Sequence, residues 1–319
     1  MPLHPQAQAT LDADKAANAP SLESLTPQQA RERAKAGQNA ASVPDGLVAR
    51  VEDRTIPGTD GNQIPVRLYY PADTEGACPM LVWFHAGGWV TGDLDGNDAV
   101  CSLLAFKSGS IVMSVDYRLA PEHPFPAGLD DAYAATKWAV DHAEELGSRD
   151  DVVGVGGASA GGNLAAAVCL MAKDREVPVL AHQLLVYPVT NCNFESDTYI
   201  ELGEGYGLSR DGMQWYWEQY LGGPEMLEAA NPLASPMLAE VKSGMPRAHV
   251  ITAEYDPLRE EGEEYAHRLE EDGVFTVLTR YPGMLHGFFT RVGIYDDATR
   301  AVTEAAEQFR ISLAVLARN

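Results

Sequence analysis

The feature that most limits what this 319-residue chain can fold into is a set of six short, almost wholly apolar runs. They read MLVWFH, SIVMSVDY, DVVGVGG, AHQLLVYP, RAHVITAEY and FTVLTRYPG. Stretches of helical period, such as DDAYAATKWAVDHAEEL and EGEEYAHRLEEDG, separate them. Buried strands alternating with helices predict an α/β fold, a mostly parallel sheet covered on both faces. Upstream, LVARVEDRTIPGTDGNQIPVRLYYP holds two alternating strands that meet at a Gly/Asp turn, a hairpin signal. The hydrophobic fraction of 45% supplies a sizeable core for one large domain or two small ones.

Two stretches interrupt the alternation. LDGNDAVCSLLAFKSG reads as a crossover helix. The segment from Thr190 to about Pro236 is too long for a simple connection. Within it, RDGMQWYWEQYLGG sets Met213, Trp217 and Tyr220 or Leu221 on one helical face. Such a stripe reads first as core packing and second as a ligand wall, and an aromatic insertion after a strand end also suits a lid. Residues 1 to about 45 form an arm, with TPQQARERAKAG as a helix: Thr26 its N-cap, Pro27 in the first turn, Gly37 after its end.

The net charge of −23 argues against nucleic acid and anionic membrane surfaces as partners. No apolar run approaches a membrane span, and the N-terminal segment lacks a signal-peptide core. The expectation is a soluble, cytoplasmic protein. The acids are scattered, and EEGEEYAHRLEEDG reads as a solvated helix face. Cys78, Cys101, Cys169 and Cys192 show no metal or CxxC spacing and read as buried free thiols.

One serine stands apart. Gly157-Ala158-Ser159-Ala160-Gly161 fits G-x-S-x-G, after an apolar strand and before a helical run. In that context the motif has a mechanism: a tight turn needs small neighbours and presents the hydroxyl at the sheet edge, above a helix N-terminus. The plainer reading is an N-cap serine in a glycine-rich loop. A dinucleotide fingerprint fits poorly, because no third glycine lies at the right offset and no acid closes the next strand. A P-loop is excluded by the lack of Gly-Lys-Ser/Thr. Upstream, FHAGGWVTGD follows the strand MLVWF, and its glycine pair lets backbone N–H groups approach a ligand.

The hydroxyl needs a base, and the base an orienting acid. Of the eight histidines, His286 in YPGMLHGFF lies just past the last strand in a Gly-flanked loop. His4 is in the arm, His142 and His267 sit in charged helical patterns, and His182 and His249 open strands. His123 lies in a Pro-rich loop, and His85 precedes the glycine pair and reads as a brace for that loop. Asp256 in VITAEYDPLRE ends a preceding strand and is the candidate acid, with Glu254 the weaker alternative.

Together these segments resemble the hormone-sensitive-lipase-like bacterial esterases, which carry an H-G-G-G motif. The matching stretches are His85-Ala86-Gly87-Gly88-Trp89, DYRLAPEHPFPAGLDD, Gly157 to Gly162, EYDPLREEG and HGF, spread from about Val66 onward. The resemblance implies an α/β-hydrolase fold with an eight-stranded sheet over residues 46–319. It also implies a helical cap from residues 1–45 and the insertion at about 190–236. By position, Ser159 would be the nucleophile, Asp256 the acid and His286 the base. The N–H groups of Gly87, Gly88 and Ala160 would form the oxyanion hole. Two positions depart from the family. Ala86 replaces a glycine and requires a negative φ. Ala158 replaces the usual Asp or Thr, so any hydrogen bond of that residue is lost.

The expected activity is hydrolysis of short-chain esters, of about two to eight carbons, with Trp89, Trp215 and Trp217 limiting the pocket. The partner is a small-molecule ester, no metal or cofactor is required, and a homodimer is left open. Two alternatives share the fold: a small-molecule receptor with a degraded triad, and an amidase or deacetylase with the same triad.

Overall fold

A computed structural model of the chain describes residues 2–38, 46–72, 76–176, 178–240 and 244–316. The predicted hairpin is β1 (Val48–Pro57) and β2 (Gln63–Pro71), antiparallel, with Pro57 opposite Gln63. The six apolar runs become β3 (Cys78–Phe84), β4 (Ile111–Val115), β5 (Ser148–Ala158), β6 (His182–Val186), β7 (Arg247–Tyr255) and β8 (Thr276–Leu285). These strands form one eight-stranded sheet in the order β1-β2-β4-β3-β5-β6-β7-β8. β2 runs antiparallel to both neighbours, and every pair from β4 through β8 is parallel.

The strands are apolar throughout because both faces are covered. In β3, Met80, Val82 and Phe84 enter one core, and Leu81 and Trp83 enter the other. That is the two-residue alternation of a strand buried on both sides. The helices are α1 (Pro5–Ala17), α2 (Pro27–Gly37), α3 (Asp98–Ser108), α4 (Ala127–Asp141), α5 (Ala143–Leu146), α6 (Ala160–Arg175), α7 (Asp197–Leu202), α8 (Arg210–Tyr220), α9 (Arg259–Glu271) and α10 (Asp296–Leu316). Leu129, Leu164 and Leu269 bring α4, α6 and α9 onto one face. Leu104, Val302 and Phe309 bring α3 and α10 onto the other.

The arm docks in two places. Near α1, the His4 N–H donates to the Gly283 carbonyl at 3.0 Å, and the Tyr295 hydroxyl bonds Thr10 at 2.8 Å. Helix α2 opens with a capping box between Thr26 and Gln29, and its Ala30 packs with Val90, Ala120 and Trp215. Gly37 is the last residue of α2 rather than the one after it, because the final turn closes one residue later on Gln38. The expected arm–domain junction near residue 45 lies outside the described residues. The insertion from Thr190 contains α7 and α8. On α8, Met213, Trp217 and Tyr220 are buried in the core, and Leu221 is only partly so. All four cysteines are free, and Cys192 alone of them is half-buried. Among the described residues, no helix is long and apolar enough to cross a membrane.

Candidate active site

Ser159 stands between the end of β5 and the start of α6 with φ 57° and ψ −118°. A non-glycine residue in that region is strained and persists only where its surroundings hold it. They do so through close backbone packing. A Cβ at Gly157 would lie 2.3 Å from the Gly161 carbonyl, and one at Gly161 would lie 2.0 Å from the Phe84 carbonyl oxygen. The Ser159 N–H donates to Val186 at 2.9 Å, and its carbonyl accepts from the Asn163 N–H at 3.0 Å. The side chain makes no helix-capping bond. Ser159 does occupy the N-cap position of α6, but its Oγ lies 3.0 Å from Nε2 of His286 instead of bonding the helix.

His286 follows directly on β8, and its Nδ1 is 2.7 Å from Oδ2 of Asp256. Asp256 is wholly buried beyond β7, and its Oδ1 accepts the Leu258 N–H at 2.9 Å. With Nδ1–H donating to the carboxylate, the Nε2 lone pair faces the serine hydroxyl. The Tyr187 ring packs against the imidazole at 4.6 Å between centroids. Glu254 has other work: its Oε2 accepts the Gly283 N–H at 2.7 Å, while Asp256 is the carboxylate at His286 Nδ1. That bond falls where the β7–β8 register shifts between Ala253 and Tyr255. A bulge there unpairs a backbone donor, and the side chain satisfies it.

The loop after β3 carries the glycine pair. Gly87 has φ 121° and Gly88 φ 59°, which only glycine adopts without strain. Ala86 is absent from the positive-φ residues, so it meets the condition its extra methyl imposes. Val90 and Thr91 N–H groups both return to the Gly87 carbonyl, at 3.1 and 2.9 Å. Among the described residues, the N–H groups of Gly87, Gly88 and Ala160 donate to no turn or loop carbonyl. Ala160 is the first residue of α6, where a helix has donors to spare.

His85 braces this loop. It is fully buried, its Nδ1–H donates to the Ala86 carbonyl at 2.8 Å, and its ring stacks on Tyr117 at 4.2 Å. Burial pushes its pKa down to about 4, which keeps it neutral. A Cβ at Gly92 would sit 2.3 Å from that Nδ1. Ala158 is buried in the same apolar cluster as Val186, Tyr187 and Phe288, so packing occupies the place of a polar side chain.

The three tryptophans do not share one wall. Trp89 stacks on Tyr220 at 4.1 Å and meets Trp217 at 4.8 Å, and both tryptophans are buried. Trp215 turns instead toward Ala30 and Val90. Two residues along a helix is about 200° of rotation, so 215 and 217 leave α8 on opposite sides. The residue between them, Tyr216, was not singled out in the sequence, yet its ring covers Gly88. A Cβ on Gly88 would fall 2.1 Å from its Cδ1. Glu261 also departs from the sequence expectation. It lies in the run read as a solvated face, but it is 5% exposed. Its Oε1 accepts the N–H groups of Thr190 at 2.7 Å and Asn191 at 3.3 Å. Burial pushes that carboxyl well above its ordinary range. Only the helical period could have flagged it.

Residues 81–290 match a family model described as the alpha/beta hydrolase fold. The carboxylic ester hydrolase LipN of Mycobacterium tuberculosis is 41% identical over 270 residues, covering 82% of this chain and 70% of that protein. The ethyl acetate hydrolase of Pseudomonas putida is 36% identical over 264 residues, covering 81% and 82% of the two chains. The hyperthermophilic esterase of the archaeon Pyrobaculum calidifontis superimposes with a TM-score of 0.92 at 40% identity, over 99% of this chain and 100% of that one.

Proposed function

Because this chain belongs to the α/β-hydrolase family, in its hormone-sensitive-lipase-like branch, and is a carboxylic ester hydrolase, we propose that it cleaves short-chain esters through a Ser159 acyl-enzyme. The observation that carries this reading is the unbroken chain from Asp256 through His286 to Ser159, at 2.7 and 3.0 Å. Nε2 of His286 takes the Ser159 proton as Oγ adds to the ester carbonyl. The carbonyl oxygen becomes an oxyanion facing the N–H groups of Gly87, Gly88 and Ala160. One such donor is worth roughly 3 kcal/mol in comparable sites, so the hole supplies a large share of the rate. The imidazolium then gives its proton to the departing alkoxide. Asp256, buried and bonded to Nδ1–H, holds the tautomer and stabilises the charge. Water repeats the sequence on the acyl-enzyme.

Helices α2, α7 and α8 form the cap over this centre. Tyr216 against Gly88, Tyr187 against His286, and Trp89 with Trp217 behind them crowd the reacting atoms with aromatic side chains. That crowding supports an acyl group of about two to eight carbons, because each methylene that fits adds ~0.8 kcal/mol and the gain stops where the pocket ends. The relative named for ethyl acetate hydrolysis supports the same size class. The test is kcat/KM over a p-nitrophenyl ester series from acetate to palmitate. A maximum at or below octanoate is expected, and a rate still rising at palmitate refutes the size limit.

A further inference from the structure

Arg31 lies on α2, far from the triad in sequence, yet its guanidinium spans the segment that follows the glycine pair. Nε donates to the Val90 carbonyl at 2.8 Å, and Nη2 donates to the Ala120 carbonyl at 2.9 Å. Nη1 and Nη2 also form a two-pronged pair with the Glu122 carboxylate, at 2.8 and 2.5 Å. The two loops it bridges are themselves joined, since the Ala120 N–H donates to the Trp89 carbonyl at 2.9 Å. One planar cation therefore fixes Val90, Ala120 and Glu122 together, a task for which the rigid fork of arginine is suited.

That fixation reaches the Gly87–Gly88 peptide. The Gly87 carbonyl accepts the N–H groups of Val90 and Thr91 and the Thr91 hydroxyl, at 3.1, 2.9 and 3.1 Å. A trans peptide is planar, so a carbonyl held toward Val90 and Thr91 aims the Gly88 N–H the opposite way. From the other side the Tyr216 ring closes on Gly88. The turn is held by its own hydrogen bonds, and Arg31 anchors its far end to the arm.

We propose that Arg31 is a positioning residue of the oxyanion hole, locking the Gly87–Thr91 turn so that the Gly88 N–H points at the reacting carbonyl. The arm then contributes to the chemical step as well as to the cover over the site. The inference rests on the reading that Gly87, Gly88 and Ala160 supply the oxyanion donors.

The test compares wild type, Arg31→Ala and Arg31→Lys on p-nitrophenyl butyrate and on its thionoester, whose C=S accepts hydrogen bonds poorly. Far-ultraviolet circular dichroism and thermal melts select the folded variants. A wild type that turns over both substrates equally refutes the oxyanion reading itself. Given strong wild-type preference for the oxygen ester, Arg31→Ala should lose about 10- to 100-fold in kcat, less than the roughly 10²–10³ for deleting a donor outright. KM should stay within about threefold, and the ester-to-thionoester ratio should fall by a factor similar to the loss in kcat. Arg31→Lys, with one flexible donor head in place of the fork, should fall between the two. A folded Arg31→Ala enzyme with kcat and ratio within about twofold of wild type overturns the proposal, as does a loss confined to KM. Should Arg31→Ala not fold, Arg31→Lys decides: unchanged kcat and ratio overturn the proposal, and a fall in both upholds it.

Discussion

The Glu254 carboxylate accepts the backbone N–H of Gly283 at 2.7 Å, and so ties the strand that leads to Asp256 to the strand that leads to His286. The proposed acid and base sit on separate loops, and this bond supplements the β7–β8 pairing, which includes Tyr255 opposite Leu285, at the roots of those loops. A hydrogen bond to a charged group contributes about 1.5–3 kcal/mol, so Glu254→Ala should lower kcat by about 10- to 100-fold if the geometry relaxes fully. Glu254→Gln keeps an acceptor and should remain within about fivefold of wild type. Steady-state kinetics on the two folded variants decides, and equal losses in both would show that the charge matters and the tether does not.

Ser159, His286 and Asp256 act as one unit in the proposed mechanism. Ser159→Ala should remove about 10⁶ of kcat while the protein still folds, and adding His286→Ala should cost little more. Single-turnover assays on the double variant measure this. A further large drop would mean that the two residues act independently.

His85 should stay neutral down to about pH 4, because burial opposes its charge. In the unfolded chain it takes a proton near pH 6.5. The unfolded state therefore binds more protons between these values, and stability falls as pH drops from about 6.5 toward about 4. For this fully buried ring the loss amounts to about 3 kcal/mol. Imidazole nitrogen shifts across pH 7 to 4 report the protonation directly, and a midpoint near 6.5 contradicts the argument.

Gly161→Ala should destabilise by at least ~1–3 kcal/mol, the ordinary range for overpacking. Its methyl would lie 2.0 Å from the Phe84 carbonyl oxygen, which is backbone and cannot rotate away. Chemical denaturation measures the loss. A neutral effect would imply that the turn at Ser159 moves easily.

The net charge of −23 predicts that salt stabilises or leaves stability unchanged. Repulsion among surface carboxylates is screened as the Debye length falls from about 30 Å at 0.01 M to about 3 Å at 1 M. Arg67, bonded at once to Asp53, Asp95 and Asp98, shows how few cations serve many acids. Melting temperatures at 0.01, 0.1 and 1 M NaCl test it, and a steady fall with salt would show that attractive pairs dominate.

The strands were legible because burial on both faces leaves an apolar run, and His286 and Asp256 because each directly follows such a run. Glu261 was not legible. A carboxyl bonded to backbone N–H groups looks, in sequence, like any acid on a wet helix. Tyr216 and Trp215 failed for a related reason. Which of two neighbouring aromatics meets the site depends on the rotation of α8 about its axis, and that is fixed by the arm packed behind it. Arg31 was hidden by distance along the chain, since no local pattern announces a contact with Val90 or Ala120.

The strand order has a consequence for how activity is acquired during folding. The glycine loop follows β3, the proposed nucleophile follows β5, the proposed acid follows β7 and the proposed base follows β8, an edge strand of the sheet. The reacting set is thus assembled across about 200 residues of separation from pairings that are nearly all non-local, the slow kind to form. No partially synthesised chain lacking β8 can hydrolyse its substrate by this route. Turnover by this route can appear only once β3, β5, β7 and β8 are all in place, whatever order they take.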